Sequence, residues 1–141
     1  MSMIIHCLSV KQPWASLFFA QGNLLPKDVE NRKTSLKHIG PLIIHASQAL
    51  DKKADPIEMP DPEIEHTTGA ILGVVFMYDC RAPGDSTSPW HVESQYGYYV
   101  SDPYQFTVAV PWKGKQGLWN LDFDELPAEA QAQVNIWGRW F

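Results

Sequence analysis

The run Gly69–Arg81 constrains the fold more than any other part of this chain. It strings Ile, Leu, Val, Phe, Met and Tyr together with almost no polar interruption. A continuous apolar run of that length, flanked by turn residues, reads as a buried strand. Shorter runs repeat the signal. Met3–Val10, Leu42–His45, Tyr96–Ser101, Phe106–Trp112 and Gly117–Leu121 each read as strands. Helical patterns fall in three places. Pro13–Gln21 puts Trp14, Leu17 and Phe18 on one side and ends at Gly22. Ser47 is a candidate N-cap for a short helix through Ala54. Leu126–Trp137 has Pro127 near its start and Gly138 at its end. Asn23–Pro26 is a turn, Lys27–Arg32 is extended or irregular, and Ala82–Pro89 is loop. Asp55–Thr68, with its prolines and acidic residues, is a surface excursion with at most one helical turn. Strands do not alternate regularly with helices, which argues against a doubly wound sheet. The expected fold class is mainly β: a small barrel of about six mostly antiparallel strands with flanking α-helices.

With 141 residues the chain reads as one domain, 1–141, large enough to bury a core without staples. The formal net charge of −5 excludes a protein that grips long stretches of nucleic acid through a basic surface. A nucleic-acid ligand would have to engage a small local site. Cys7 and Cys80 lie in apolar runs without a CxxC or metal-ligand partner, so both read as buried free thiols of a cytoplasmic protein. No run approaches the ~18 apolar residues of a membrane span. No signal peptide is visible, and no metal or cofactor motif stands out.

Five segments carry side chains suited to chemistry. Ser9-x-Lys11-Gln12-Pro13-Trp14 hands polar groups from a strand end to a helix start, where unpaired N–H groups favour anions. Lys27-Asp28-Val29-Glu30-Asn31-Arg32, if extended, points Glu30 and Arg32 to one face, with Lys27 close by from the preceding turn. A Glu beside two cations stays ionised and orients them; a Lys acting as a base needs a lowered pKa. Gly40–Ser47 places His45 at a strand end and Ser47 just beyond it. Trp90 through Pro103 includes the stretch Tyr96–Pro103, whose alternation puts Tyr96, Tyr98 and Val100 on one face. Pro111-Trp112-Lys113-Gly114-Lys115-Gln116-Gly117-Leu118-Trp119 interleaves lysines, glycines and tryptophans, a mixture suited to stacking a base and neutralising a phosphate. Each segment also fits a plainer reading: strand ends, a solvated charged loop, a satisfied histidine, an aromatic inner face, a hairpin turn.

Taken in order, LSVKQPWASL, KDVENR, GPLIIHAS, GAILGVVFMYDC, YGYYVSDP and PWKGKQGLWNL resemble the ASCH domain, a branch of the PUA-like superfamily, over about residues 4–122. The helix at about 126–137 lies beyond that core. The resemblance implies a PUA-like β-barrel with helices around a cleft, and a role in RNA binding or RNA-linked chemistry. The family's G-x-K-x-x-E-x-R motif falls on Gly22, Lys27, Glu30 and Arg32, with Asn23–Pro26 lengthening the gap between the Gly and the Lys. Some relatives resemble amidohydrolases that deacylate modified cytidine with a Lys, a Thr and a Glu. Lys27 matches the Lys, but Glu30 stands where those enzymes carry the Thr, and a carboxylate does not replace a hydroxyl nucleophile. Ser9 or Thr34 would have to supply one.

The leading expectation is therefore a binding module for a nucleotide or short RNA, with no cofactor and no metal. Lys11, Lys27, Arg32 and Lys113 would hold phosphate or carbonyl oxygens. Glu30 would fix the cations or accept from a base amino group. Trp14, Tyr98 or Trp119 would stack, and Ser9, Gln12, His45 and Ser47 would complete the site. The rival expectation is a small metal-independent hydrolase, an N-acyl-cytidine amidohydrolase or a ribonuclease, using Lys27 and Glu30.

Overall fold

The computed structural model of the protein describes residues 3–21, 26–50 and 67–140. It is mainly β. Strand β1 (Ile4–Gln12) leads into a one-turn helix α1 (Trp14–Leu17), then β2 (Val29–Arg32), β3 (Gly40–Leu50), β4 (Ala70–Arg81), β5 (Tyr96–Pro111) and β6 (Leu118–Asp122). A short 3-10 turn, Phe123–Glu125, precedes helix α2 (Ala128–Trp137). The six strands form one mixed sheet in the order β2-β5-β4-β3-β1-β6. Only β1 and β3 run parallel; the other neighbouring pairs are antiparallel.

The apolar run that reads as a strand does form one, and it lies at the centre of the sheet. Every residue from Ala70 to Met77 is buried, because both faces of β4 are covered. One face belongs to a core with Leu8, Leu42, Ile44, Val75, Met77 and Tyr98, closed by Phe18 and Phe19 beyond α1. The other face joins Ile43, Ile71 and Val74 to Phe106, Trp119 and Val134 of α2. Gly73 sits where β5 and Phe19 come close: a Cβ there would lie 2.3 Å from the Tyr104 carbonyl oxygen and 2.9 Å from the Phe19 ring. No side chain fits.

Four expectations change. The sheet does not close into a barrel. Its edges β2 and β6 share no ladder among the described residues, and β2 has only four residues with which to build one. The gap is bridged by a side chain: Arg32 Nη2 donates to the carbonyl of Ser9 at 2.8 Å. The helix beginning at Ser47 is instead strand. β3 runs on to Leu50, where Ala46 pairs with Val10 and Leu50 with Gln12, and these ladders override the capping preference of Ser47; residues 51–54 lie outside the described residues. The Pro13–Gln21 helix is cut to Trp14–Leu17, because the backbone N–H of Lys27 takes the Leu17 carbonyl at 2.8 Å. The Gly22 stop and the 55–66 excursion lie outside the described residues. Finally, Tyr96–Ser101 and Phe106–Trp112 are one strand. Pro103 is tolerated within it because β2 pairs only with Tyr96–Tyr99 and the Asp28 carbonyl takes the Val100 N–H, so beyond Val100 no described strand pairs with β5 on that side. Cys7 is fully buried, and burial pushes its thiol up to about 12; Cys80 is only half-buried.

Candidate functional site

The sequence KDVENR folds as a turn followed by an edge strand, and its alternation separates two jobs. Val29 is buried in the sheet. Glu30 and Arg32 share the opposite face, as their spacing requires. Glu30 Oε1 accepts from Lys27 Nζ at 2.9 Å, and Oε2 accepts from Arg32 Nε at 3.0 Å and Nη2 at 2.6 Å. Lys27 also donates to the Val29 carbonyl and lies over the Phe18 ring, 4.8 Å from its centroid. Lys27 is 5% exposed and Glu30 7%. Burial alone would raise the Glu30 carboxyl; the charges and hydrogen bonds of Lys27 and Arg32 outweigh it and hold the group below its usual value.

Residues Asp28 and Asn31 pin the loop opposite. Ser88 Oγ donates to Asp28 Oδ1 at 2.5 Å and accepts from the Trp90 backbone N–H at 3.2 Å. The Asn31 amide donates to the Trp90 carbonyl at 2.9 Å, and its oxygen accepts from Val92 N–H at 2.7 Å. Edge strand β2 thereby fixes Trp90 beside the Lys27–Glu30–Arg32 triad.

A third wall comes from residues 112–117, the turn between β5 and β6. Ser9 Oγ donates to the Lys115 carbonyl at 2.6 Å and accepts from Trp119 Nε1 at 2.9 Å. His45 Nδ1 faces the same oxygen at 3.1 Å, and His45 Nε2 faces the Trp112 carbonyl at 2.8 Å. A carbonyl only accepts, so Nε2 carries the proton of that bond. Gly114 lies flat on the imidazole: a Cβ there would be 2.5 Å from Cε1. Burial lowers the His45 pKa, partly offset by the Trp112 carbonyl.

These walls enclose an open cleft of about 1490 Å³. Nine of the residues expected to form a site line it: Ser9, Lys11, Trp14, Lys27, Glu30, Arg32, His45 and Ser47 from the first third of the chain, and Lys113 from beyond it. Three do not. Gln12 is fully buried, with Oε1 accepting from Ser16 N–H at 3.0 Å and Nε2 donating to Ser16 Oγ and the Thr67 carbonyl, each at 2.8 Å. Its amide thus occupies the helix start that the sequence offers to an anion. Tyr98 is buried in the core, and its hydroxyl donates to the Thr34 carbonyl at 2.8 Å. Trp119 stands behind Ser9, edge-on to His45 at 5.7 Å between ring centroids.

Sequence reasoning passed over Trp90, Trp112 and Lys115 as individual site residues, yet all three line the cleft. Trp112 and Lys115 lie inside the PWKGKQGLW segment, whose composition was the available signal. Trp90 sits in an irregular loop, where no periodicity marks it. Among the described residues the cleft is cationic: Lys11, Lys27, Arg32, Lys113 and Lys115 line it, against one carboxylate, that of Glu30. Lys11, Lys113 and Lys115 form no ion pair among the described residues. Those residues also contain no cluster of three His, Cys, Asp or Glu able to hold a metal ion, and no helix long and apolar enough to cross a membrane.

No family model matches the chain. It is 29% identical over 135 residues to the human protein Activating signal cointegrator 1, an alignment covering 82% of this chain and 22% of that protein. The mouse protein of the same name is 27% identical over the same share of each. The chain therefore spans about a fifth of the length of the curated relatives it matches.

Proposed function

We propose that the chain is a binding module for a nucleotide or a short stretch of single-stranded RNA, held base-first in the cleft. The observation that carries this reading is the combination of three indoles, Trp14, Trp90 and Trp112, with three lysines that form no ion pair among the described residues, Lys11, Lys113 and Lys115, around one cavity of an acidic chain. Aromatic faces stack on bases without demanding a sequence, and lysines at the rim meet phosphates. The ordered resemblance to ASCH segments supports the same class of ligand, and a local cluster of positive charge in an acidic chain suits a short ligand better than a long duplex.

The hydrolytic alternative gives Lys27 and Glu30 the chemistry. It draws on their proximity, but the Lys27 ammonium already donates to Glu30 and to a backbone carbonyl, which suits an anchor better than a base. Tryptophan fluorescence titrations with nucleoside monophosphates and short oligonucleotides test the proposal. A saturable change, weakened several-fold or more in Trp112→Ala, is the expected result. Absence of any saturable response at millimolar ligand overturns it. Turnover of acetylcytidine that disappears in Lys27→Met while the fold survives would favour the alternative.

A further inference from the structure

We infer that the Lys27–Glu30–Arg32 triad reads the imide edge of a pyrimidine-2,4-dione, so that the cleft selects uracil-type bases over the other bases. This rests on the nucleotide-binding reading and specifies its ligand. The argument counts hydrogen-bonding capacity. An ammonium has three protons, and Lys27 directs two of them, to the Val29 carbonyl and to Glu30 Oε1. One donor remains. Glu30 Oε2 already accepts two bonds from Arg32, whereas among the described residues Oε1 accepts only the one from Lys27. One lone pair on Oε1 remains. Arg32 uses Nε and Nη2, the latter on both Glu30 and the Ser9 carbonyl, and Nη1 has no partner among the described residues. A donor remains there too.

All three side chains line the cleft, so it presents donor, acceptor, donor in the order Lys27, Glu30, Arg32. The complement is acceptor, donor, acceptor. Uracil carries that pattern along O4, N3–H and O2. Cytosine offers a donor followed by two acceptors, and adenine a donor beside an acceptor. Aligned ring nitrogen to carboxylate, each sets an acceptor against Glu30; shifted so that the amino group meets Glu30, each satisfies two of the three groups and leaves one cation without a partner. Guanine can place N1–H on Glu30 and O6 on one cation, but its amino group then meets the other. The ionised state of Glu30, secured by its two cations, keeps Oε1 an acceptor. An unpaired polar group in a partly desolvated site discriminates strongly between ligands of the same shape. Trp14 and Trp112 would stack on any base and add no preference of their own.

The test uses the intact chain and four probes: uridine, cytidine, adenosine and 3-methyluridine 5′-monophosphates. The expected result is that uridine monophosphate binds at least about tenfold tighter than the other three, the factor that one hydrogen bond of ~1.4 kcal/mol supplies. The 3-methyl analogue is decisive, since it keeps the ring, both carbonyls and the phosphate but removes N3–H. Equal affinity for all four overturns the imide reading while leaving nucleotide binding intact. No binding by any of them, nor by hexamers of U or C, overturns both. Preference for the U hexamer over the C hexamer, greater than that between the monophosphates, places the base in RNA; preference confined to the monophosphates places it in a free nucleotide. In Arg32→Lys, which keeps the charge and loses Nη1, the uridine-to-cytidine ratio should fall toward one. A ratio unchanged in a folded Arg32→Lys variant counts against the assignment.

Discussion

Single residues carry the energetics of this cleft, and Glu30 carries most. Its carboxylate is buried and answered by two cations, so removing one cation leaves charge without full compensation. Lys27→Met should destabilise the fold by about 3 kcal/mol, the scale for breaking one side of a buried pair, read as a lower urea midpoint with an unchanged slope. The pH dependence follows from the lowered pKa of Glu30. A group whose folded pKa lies below its unfolded value stabilises the fold above the unfolded value, and that contribution disappears as pH falls through the folded one. Acid should therefore destabilise the wild type progressively below about 4.5, the ordinary value. Glu30→Gln should show a shallower loss over the same window, measured as urea midpoint against pH. Gly114 is the second sensitive position. Gly114→Ala would drive a methyl into His45 and lift the 112–117 turn, so ligand affinity should fall several-fold while global stability changes by ~1 kcal/mol.

At the scale of elements, the design is a sheet whose edge strand works as a side-chain rack. Strand β2 contributes few backbone hydrogen bonds, but its side chains organise the triad, the Trp90 loop and the bridge to β1. Its KDVENR pattern was readable because alternation alone puts Glu30 and Arg32 on one face. The continuation of β3 past Ser47 was not readable, because its cause is a ladder to Val10 and Gln12 that no local pattern encodes. The same holds for β5, where Pro103 marks a break in sequence but a tolerated edge position in space. Gly73 makes the packing of these elements testable. Gly73→Ala places a methyl against the Tyr104 carbonyl and the Phe19 ring, and β4 and β5 cannot both stay in register around it. The expected loss is about 2 kcal/mol or more in thermal or urea unfolding.

For the whole molecule, charge is partitioned. The chain is acidic in total, yet the described residues line its cleft with five cations and one carboxylate. An anionic ligand is thus attracted to the cleft. If three lysines meet three phosphates of a single strand, log K should fall with log salt at a slope of about −2. Fluorescence titrations of an oligonucleotide between low and physiological salt check this, and a slope near zero would point to a ligand without phosphates. Global stability has a second pH window at near-neutral values. His6 and His45 both have pKa values lowered from 6.5, chiefly by burial, with His38 stacked on His6 adding repulsion. The unfolded chain then binds these protons first, so stability is full above 6.5 and declines as pH drops through the folded values. His6→Gln combined with His45→Gln should flatten that decline in a plot of melting temperature against pH.

Local pattern alone determined much of this protein. Apolar runs specified five of the six strands, one of them as two segments, and a C-terminal helix, because burial of alternate or continuous apolar side chains is written directly into residue order. Spacing placed Glu30 beside Arg32, and composition concentrated cations with indoles in a few segments. What only the tertiary structure decided was which polar groups are already spent. Gln12, Tyr98 and Trp119 look like ligand-binding residues in sequence, yet their polar atoms are satisfied inside the fold. Trp90 looks like loop, yet it lines the cleft. Hydrogen-bond saturation depends on partners brought from distant parts of the chain, and no local pattern records them.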